Sequence, residues 1–216
     1  MKVVSINTSA IGRFITLEGI EGVGKSTQLN FVADYLKQKN RNVTITREPG
    51  GTPIAEAIRK LVLNSSFHDE KLTAEAELLL FFAARAQHIK NVIKPALQRG
   101  DWVVCDRFTE ASYAYQGGGR GIDLEFITDL QKWIQKDLKI DCILLLDAPV
   151  ETALDRTHHR TQFDRIELET CDFFKRARAT YLTRAKHAPA IYHIIDASLP
   201  LKAVQSQIKH VLDKLI

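Results

Sequence analysis

What this sequence lacks narrows its class first. Cysteine is scarce, with Cys105, Cys142 and Cys171 as the whole inventory, too few and too scattered for a disulfide framework or a zinc site. Cys105 and Cys142 lie inside apolar, strand-like runs, where a reduced thiol behaves as a small hydrophobe; a cytoplasmic location is the expectation. No apolar run approaches the length of a membrane span. Residues 1–12, MKVVSINTSAIG, have neither the apolar core nor the cleavage pattern of a signal peptide and read as a short flexible extension. No block of like charges marks a nucleic-acid tail, and no internal repeat, low-complexity tract or interdomain linker is visible.

What is present is an ordinary globular composition. The chain has 216 residues, 45% apolar and 26% charged, enough for one domain with one core, read as residues 13–216. The net charge of +4 suits anionic small molecules as partners. Apolar, β-prone runs begin at Phe14, Val43, Trp102, Cys142 and Ile191, separated by helical patterns. These include Leu29–Val32–Ala33–Leu36, a segment from Pro53 to Leu63 with proline at its start, and a long Ala-rich stretch from Thr73 past Arg85 towards Pro95. A further helical pattern runs into the glycines at 117–121, where it is expected to stop. Others cover Leu124 to Leu138, a short stretch from Val150, the Phe174–Ala177–Tyr181 face, and an amphipathic close through Val204, Ile208, Val211 and Leu215. Alternation of this kind predicts a doubly wound α/β domain, a parallel sheet with helices on both faces and ligands beyond the carboxyl ends of its strands.

The stretch FITLEGIEGVGKST, Phe14 to Thr27, carries the strongest chemistry. Gly19, Gly24, Lys25 and Ser26 complete G-x-x-x-x-G-K-[ST] between a strand and a helix, the setting of a phosphate-binding P-loop. Backbone N–H groups and a helix N-terminus converge there on phosphate, Lys25 reaches the β/γ-phosphates, and the Ser26 hydroxyl is placed to hold Mg²⁺. Asp106, after the strand WVVC, is a candidate for organising that ion; Asp147, after ILLL, is its rival, and either could be a turn former. The Arg107 fork beside Asp106, where a second phosphate could sit, favours Asp106. Arg47-Glu48-Pro49-Gly50-Gly51 ends the second strand, as a plain turn or as part of the site. Phe81 and Arg85, four apart on one helix face, could stack on a base and bond its edge, or could be a core phenylalanine with a surface arginine. The segment from Arg156 to Arg165 reads alone as a basic loop.

In this order, GIEGVGKST, REPGG, FFAAR, DRF followed by AYQGGGRG, and DRIE resemble the thymidylate kinase family, from Phe14 to the C-terminus. The resemblance implies a P-loop nucleoside-monophosphate-kinase fold with a five-stranded parallel sheet, and phosphorylation of dTMP to dTDP by ATP with Mg²⁺, a step towards dTTP. A kinase for another nucleoside monophosphate is the alternative; a nucleotide-dependent switch lacks both a second arginine-lined pocket and, here, any N-K-x-D motif.

By position, the resemblance assigns Gly19, Ile20, Glu21, Gly22, Val23, Gly24, Lys25, Ser26 and Thr27 to ATP, with Arg156 against adenine. It gives Glu21 the acceptor's 3′-hydroxyl, Arg59 and Arg107 its phosphate, Phe81 and Arg85 its base, and Ser112 and Gln116 the base pocket. Tyr115 opposes a 2′-hydroxyl, while Glu48 and Pro49 shape the sugar end. Residues at about 156–166 become a lid over ATP. Some members carry a transition-state arginine in the P-loop after the acidic residue; this chain has Gly22 there, so the lid supplies it, Arg160 first and Arg156 or Arg165 otherwise. Where lid-type relatives carry a further arginine this chain has His158, which contributes less charge above about pH 7. A homodimer, typical of the family, is also implied; the Ala-rich helix could pack on a partner or within its own core.

Overall fold

The computed structural model describes residues 12–64, 70–157 and 164–216. Its strands are β1 (Phe14–Glu18), β2 (Val43–Arg47), β3 (Trp102–Asp106), β4 (Cys142–Asp147) and β5 (Tyr192–Asp196), in one sheet of order β2-β3-β1-β4-β5. Every pairing is parallel, with Phe14 opposite Val103 on one side of β1 and Ile15 opposite Cys142 on the other. Strand burial follows this order. The three central strands are apolar and buried almost throughout, whereas edge strands β2 and β5 expose Ile45 and Ile194.

The helices are α1 (Lys25–Gln38), α2 (Pro53–Leu63), α3 (Ala74–His88), α4 (Lys94–Gln98), α5 (Thr109–Ser112), α6 (Leu124–Gln135), α7 (Val150–Asp155), α8 (Cys171–His187) and α9 (Leu201–Leu215). Local chemistry explains their starts. Thr52, Thr73 and Thr170 each accept a hydrogen bond from the backbone N–H three residues on, and Pro53 opens α2 where its missing N–H costs nothing. The Ala-rich segment is helical as expected but passes from α3 to α4 through a π-helical turn, Ile89–Ile93. Helix α6 stops at Gln135, three residues short of the expected end, because Lys136 turns to positive φ.

The glycine run overturns one expectation. Rather than ending the helix at Gly117, the chain continues in a π-helical segment, Tyr113–Gly119, packed flush on α8. A Cβ on Gly118 would meet the carbonyl oxygen of Arg176 at 2.9 Å, and one on Gly119 would strike the Phe173 ring. Arg176 then caps both glycine carbonyls, at 3.2 and 2.8 Å. These glycines are present for close approach between elements, not as breakers. Among the described residues no helix is long and apolar enough to cross a membrane.

Candidate active site

The carboxyl ends of β1 and β3 lie side by side, and β4 flanks β1 on its other side. The loop of residues 19–24 therefore emerges at the sheet's topological switch point. It curls through positive φ at Gly19, Gly22 and Gly24 and delivers the chain into α1. Lys25 is almost fully buried, its Nζ donating to the carbonyls of Gly19 (3.0 Å) and Ile20 (2.7 Å). Burial, with Arg107 nearby, lowers its pKa to about 8. Ser26 and Thr27 stand exposed at the start of α1. At Gly22 a side chain has no room: φ is +76° and a Cβ would lie 2.6 Å from the Ala153 carbonyl carbon in α7.

At the end of β3, Arg107 adopts φ +66°, a conformation rare for a residue with a side chain. Its N–H donates to Leu17 (3.0 Å), and its guanidinium donates to the Gly19 carbonyl (2.9 Å) and to Glu21 Oε1 (2.6 Å). The Tyr115 hydroxyl donates to Glu21 Oε2 at 2.6 Å. Burial alone would raise the Glu21 carboxyl, but the charges of Arg107 and Lys25 and the Tyr115 hydroxyl outweigh it and hold it below the usual range. One carbonyl, that of Gly19, thus receives both Lys25 and Arg107. Beneath them, buried Glu18 accepts from the Phe108 N–H (2.8 Å) and the Tyr181 hydroxyl (2.9 Å); burial and the neighbouring Glu110 push it up to about 8.

The two strand-end aspartates differ in their partners. Asp147 is taken by Arg178 in a bidentate pair at 2.7 and 2.8 Å. Among the described residues Asp106 Oδ1, buried beside the loop, has no hydrogen-bond partner, which leaves it open to a ligand. An oxygen-ligated Mg²⁺ fits that donor together with the Ser26 hydroxyl.

A cleft opens next to Arg107, between β3, α2, α3 and the segment after β3. Every residue that the family resemblance assigns to the acceptor lines it: Glu21, Glu48, Pro49, Arg59, Phe81, Arg85, Arg107, Ser112, Tyr115 and Gln116. Arg85 is no surface residue. It is 2% exposed and donates to Glu48 Oε2 (2.6 Å), Ser112 Oγ (3.1 Å) and the Phe108 carbonyl (3.1 Å). Arg59 donates to the Pro49 carbonyl at 3.0 Å. Gln116 donates to buried Glu77 (2.6 Å), which also receives Arg120 and Arg165.

Sequence reasoning missed the cleft walls Leu63, Phe108, Ala111, Asp164 and Ile166; DRIE was the available signal for the last two. It also missed Glu77, whose position in an Ala- and Leu-rich helix gives no hint of its partners. Arg156 lies at the end of α7 and donates to the Ala197 carbonyl after β5 (2.9 Å). Arg165 is anchored to Glu77 and, at 2.9 Å, to the Val62 carbonyl. Arg160 and His158 lie outside the described residues.

A family model described as thymidylate kinase matches residues 17–208. The chain belongs to the thymidylate kinase family. A thymidylate kinase of Vesicomyosocius okutanii is 53% identical over 204 residues, covering 94% of this chain and 98% of the relative. One from Methylococcus capsulatus is 53% identical over 205 residues, covering 95% and 97%. The crystal structure of a thymidylate kinase from Ehrlichia chaffeensis superposes with a TM-score of 0.75 at 34% identity, over 94% of this chain and 98% of that one. The shared architecture is the five-stranded parallel sheet of the P-loop monophosphate-kinase fold.

Proposed function

We propose that this chain transfers the γ-phosphoryl group of ATP to dTMP, giving dTDP and ADP on the path to dTTP. The observation that carries the reading is the bridge made by Arg107. Its guanidinium is bonded to the P-loop at Gly19 and Glu21 and also lines the second pocket, so anions held on its two sides face each other. Little covalent work falls to the protein in such a transfer; it must align two phosphates and stabilise charge on the moving group.

On the donor side, residues 19–27 cradle the ATP phosphates, and Lys25 leaves the loop carbonyls for the β/γ-phosphates. Arg156 lies towards adenine, and Arg160 supplies the transition-state charge from a lid at about 156–166 within one kinase domain, residues 13–216. Ser26 and Asp106 would hold Mg²⁺, which when bound neutralises phosphate charge; the orphaned Asp106 oxygen supports this.

On the acceptor side, Arg59 and Arg107 take the dTMP phosphate. Phe81 stacks on thymine, Arg85 bonds its 4-carbonyl, and Ser112 and Gln116 border the base. Glu21 accepts the 3′-hydroxyl, Tyr115 opposes a 2′-hydroxyl, and Glu48 and Pro49 close the sugar end. The enzyme works in the cytoplasm as a homodimer, through the face where Leu79 of α3 and Phe126 and Trp133 of α6 lie exposed; Trp133→Glu is expected to elute as a monomer on size exclusion.

An ADP-release assay with ATP, Mg²⁺ and each nucleoside monophosphate in turn tests the main claim. Highest kcat/KM is expected with dTMP; preference for dGMP, UMP or dCMP would transfer the assignment to another monophosphate kinase.

A further inference from the structure

Helix α3 carries Phe81, Arg85 and His88 at i, i+4 and i+7, so all three project from one stripe. The first two line the acceptor cleft, while His88 lies behind them with no exposed surface. Its imidazole spans two partners. Nδ1 lies 2.9 Å from Glu48 Oε1 and Nε2 lies 2.6 Å from Thr46 Oγ1. A carboxylate oxygen accepts, so Nδ1–H donates to Glu48, and Nε2 shares a second hydrogen bond with the Thr46 hydroxyl. The other oxygen of Glu48 receives Arg85 Nε at 2.6 Å. A continuous chain therefore runs Thr46, His88, Glu48, Arg85, from the sheet to the cleft.

The turn after β2 is fitted to this ring. Gly51 has φ +82°, and a Cβ there would lie 2.6 Å from His88 Cδ2 and 2.8 Å from Nε2. The turn backbone thus rests on the imidazole, and the Glu48 side chain projects from the segment so supported. With His88 removed, Glu48 Oε1 would be left buried without that donor. The carboxylate would then shift to find another partner and release Arg85 Nε from its alignment.

We propose that His88 is a positioning residue for nucleobase recognition, holding Glu48 so that Glu48 fixes the Arg85 guanidinium in the cleft. The proposal rests on the reading of Arg85 as the group that bonds the base carbonyl. Discrimination by hydrogen bonding depends on a donor that cannot turn away from the wrong base, and the His88–Glu48 pair removes that freedom from Arg85. Arg85 is held on its other side by the Phe108 carbonyl and Ser112, so loss of His88 loosens the fork without releasing it.

The test compares two polar replacements. In His88→Asn the amide nitrogen takes the place of Nδ1 and keeps a donor to Glu48. In His88→Gln the amide extends towards Nε2 and abandons Glu48. Steady-state kinetics with dTMP and with 5-methyl-dCMP, which carries an amino group where dTMP has the 4-carbonyl, give the preference as a ratio of kcat/KM. For His88→Gln that ratio is expected to fall about tenfold or more, with a raised KM for dTMP and an unchanged KM for ATP. His88→Asn is expected to stay within about threefold of the parent. Equal losses in the two variants, or losses that track Tm and affect the KM for ATP equally, would leave His88 as packing alone and overturn the proposal. Arg85→Ala, run alongside, separates the two readings. If it keeps the dTMP preference, the base reading fails; if it loses the preference while His88→Gln keeps it, only the role of His88 fails.

Discussion

The two halves of the site are built to different degrees of completion. On the proposed acceptor side, Glu21 is paired with Arg107 and Tyr115, Arg85 with Glu48 and Ser112, and Gln116 with Glu77, all at ordinary hydrogen-bond distances. On the proposed donor side, Ser26 and Thr27 are exposed, Asp106 Oδ1 has no partner among the described residues, and Lys25 donates to the carbonyls of its own loop. A pocket that must select one base among several gains from fixed donors, because adaptable ones accept the wrong base as well. A phosphate cradle needs less shape of its own, since the triphosphate and its cation bring the charges that complete it.

The sharpest way to break this comparison is to remove Arg160, the arginine proposed to act from a lid. If the donor side is completed only when ATP is enclosed, Arg160→Ala is expected to reduce turnover by about 10³-fold or more while the KM for dTMP changes little. Steady-state kinetics with each substrate varied in turn measure both. Turnover near that of the parent would move the role to Arg156 or Arg165, which would have to leave the Ala197 carbonyl or Glu77 and the Val62 carbonyl respectively.

Arg107 belongs to both halves, and its replacement by lysine is expected to cost less. An ammonium keeps the charge but cannot bond Gly19, Glu21 and a phosphate in one plane. A loss of about 10²-fold in kcat/KM for dTMP is expected, the scale of one or two charge-assisted hydrogen bonds. An unchanged value would mean that Arg59 alone carries the acceptor phosphate.

Much of this was legible in the sequence because it is local. A strand followed by a glycine-rich loop and helix, REPGG after a second strand, and Asp106-Arg107 after a third each mark a strand end, and the parallel sheet then gathers strand ends in one place. Phe81 and Arg85 fall on one face by helical spacing alone. What the sequence hid depends on contacts between distant segments. Glu77 finds Gln116, Arg120 and Arg165; Glu18 finds Tyr181; Gly118 and Gly119 find α8. A glycine present for close packing and one present to end a helix are the same letter, and so the sequence pattern predicts a stop where the π-helical segment runs.

Gly22 sharpens the comparison from the donor side. Family members with an arginine in the loop suggest that the catalytic charge could be restored by Gly22→Arg. Here the backbone φ of +76° and the Ala153 carbonyl of α7 both oppose any side chain. Gly22→Arg in the Arg160→Ala background is therefore expected to lower stability by about 1–3 kcal/mol and to leave activity unrestored. Denaturant melts and the same kinetics measure the two parts. Recovery of turnover would show that α7 yields readily and that the donor half is more adaptable than its geometry implies.

The smallest expected effect concerns Glu18, which lies beneath both halves and is held protonated by burial and by Glu110 up to about pH 8. The sign follows from proton uptake. Between its unfolded value near 4.5 and its folded value near 8 the native state binds the extra proton, so folding stability falls as pH rises through that window. Lys25 acts in the next window: its folded value is depressed from 10.5 to about 8, so the native state sheds its proton first and stability rises between those values. Glu18→Gln retains an acceptor for the Phe108 N–H but has no proton to lose. The variant is expected to show a flatter dependence of Tm on pH between 5 and 8, the parent falling more steeply by several degrees, on the order of 2–4 °C per kcal/mol for a chain of this size. Equal slopes between pH 5 and 8 would mean that Glu18 ionises freely in the folded protein, and that the floor under Arg107 is wetter than its burial indicates.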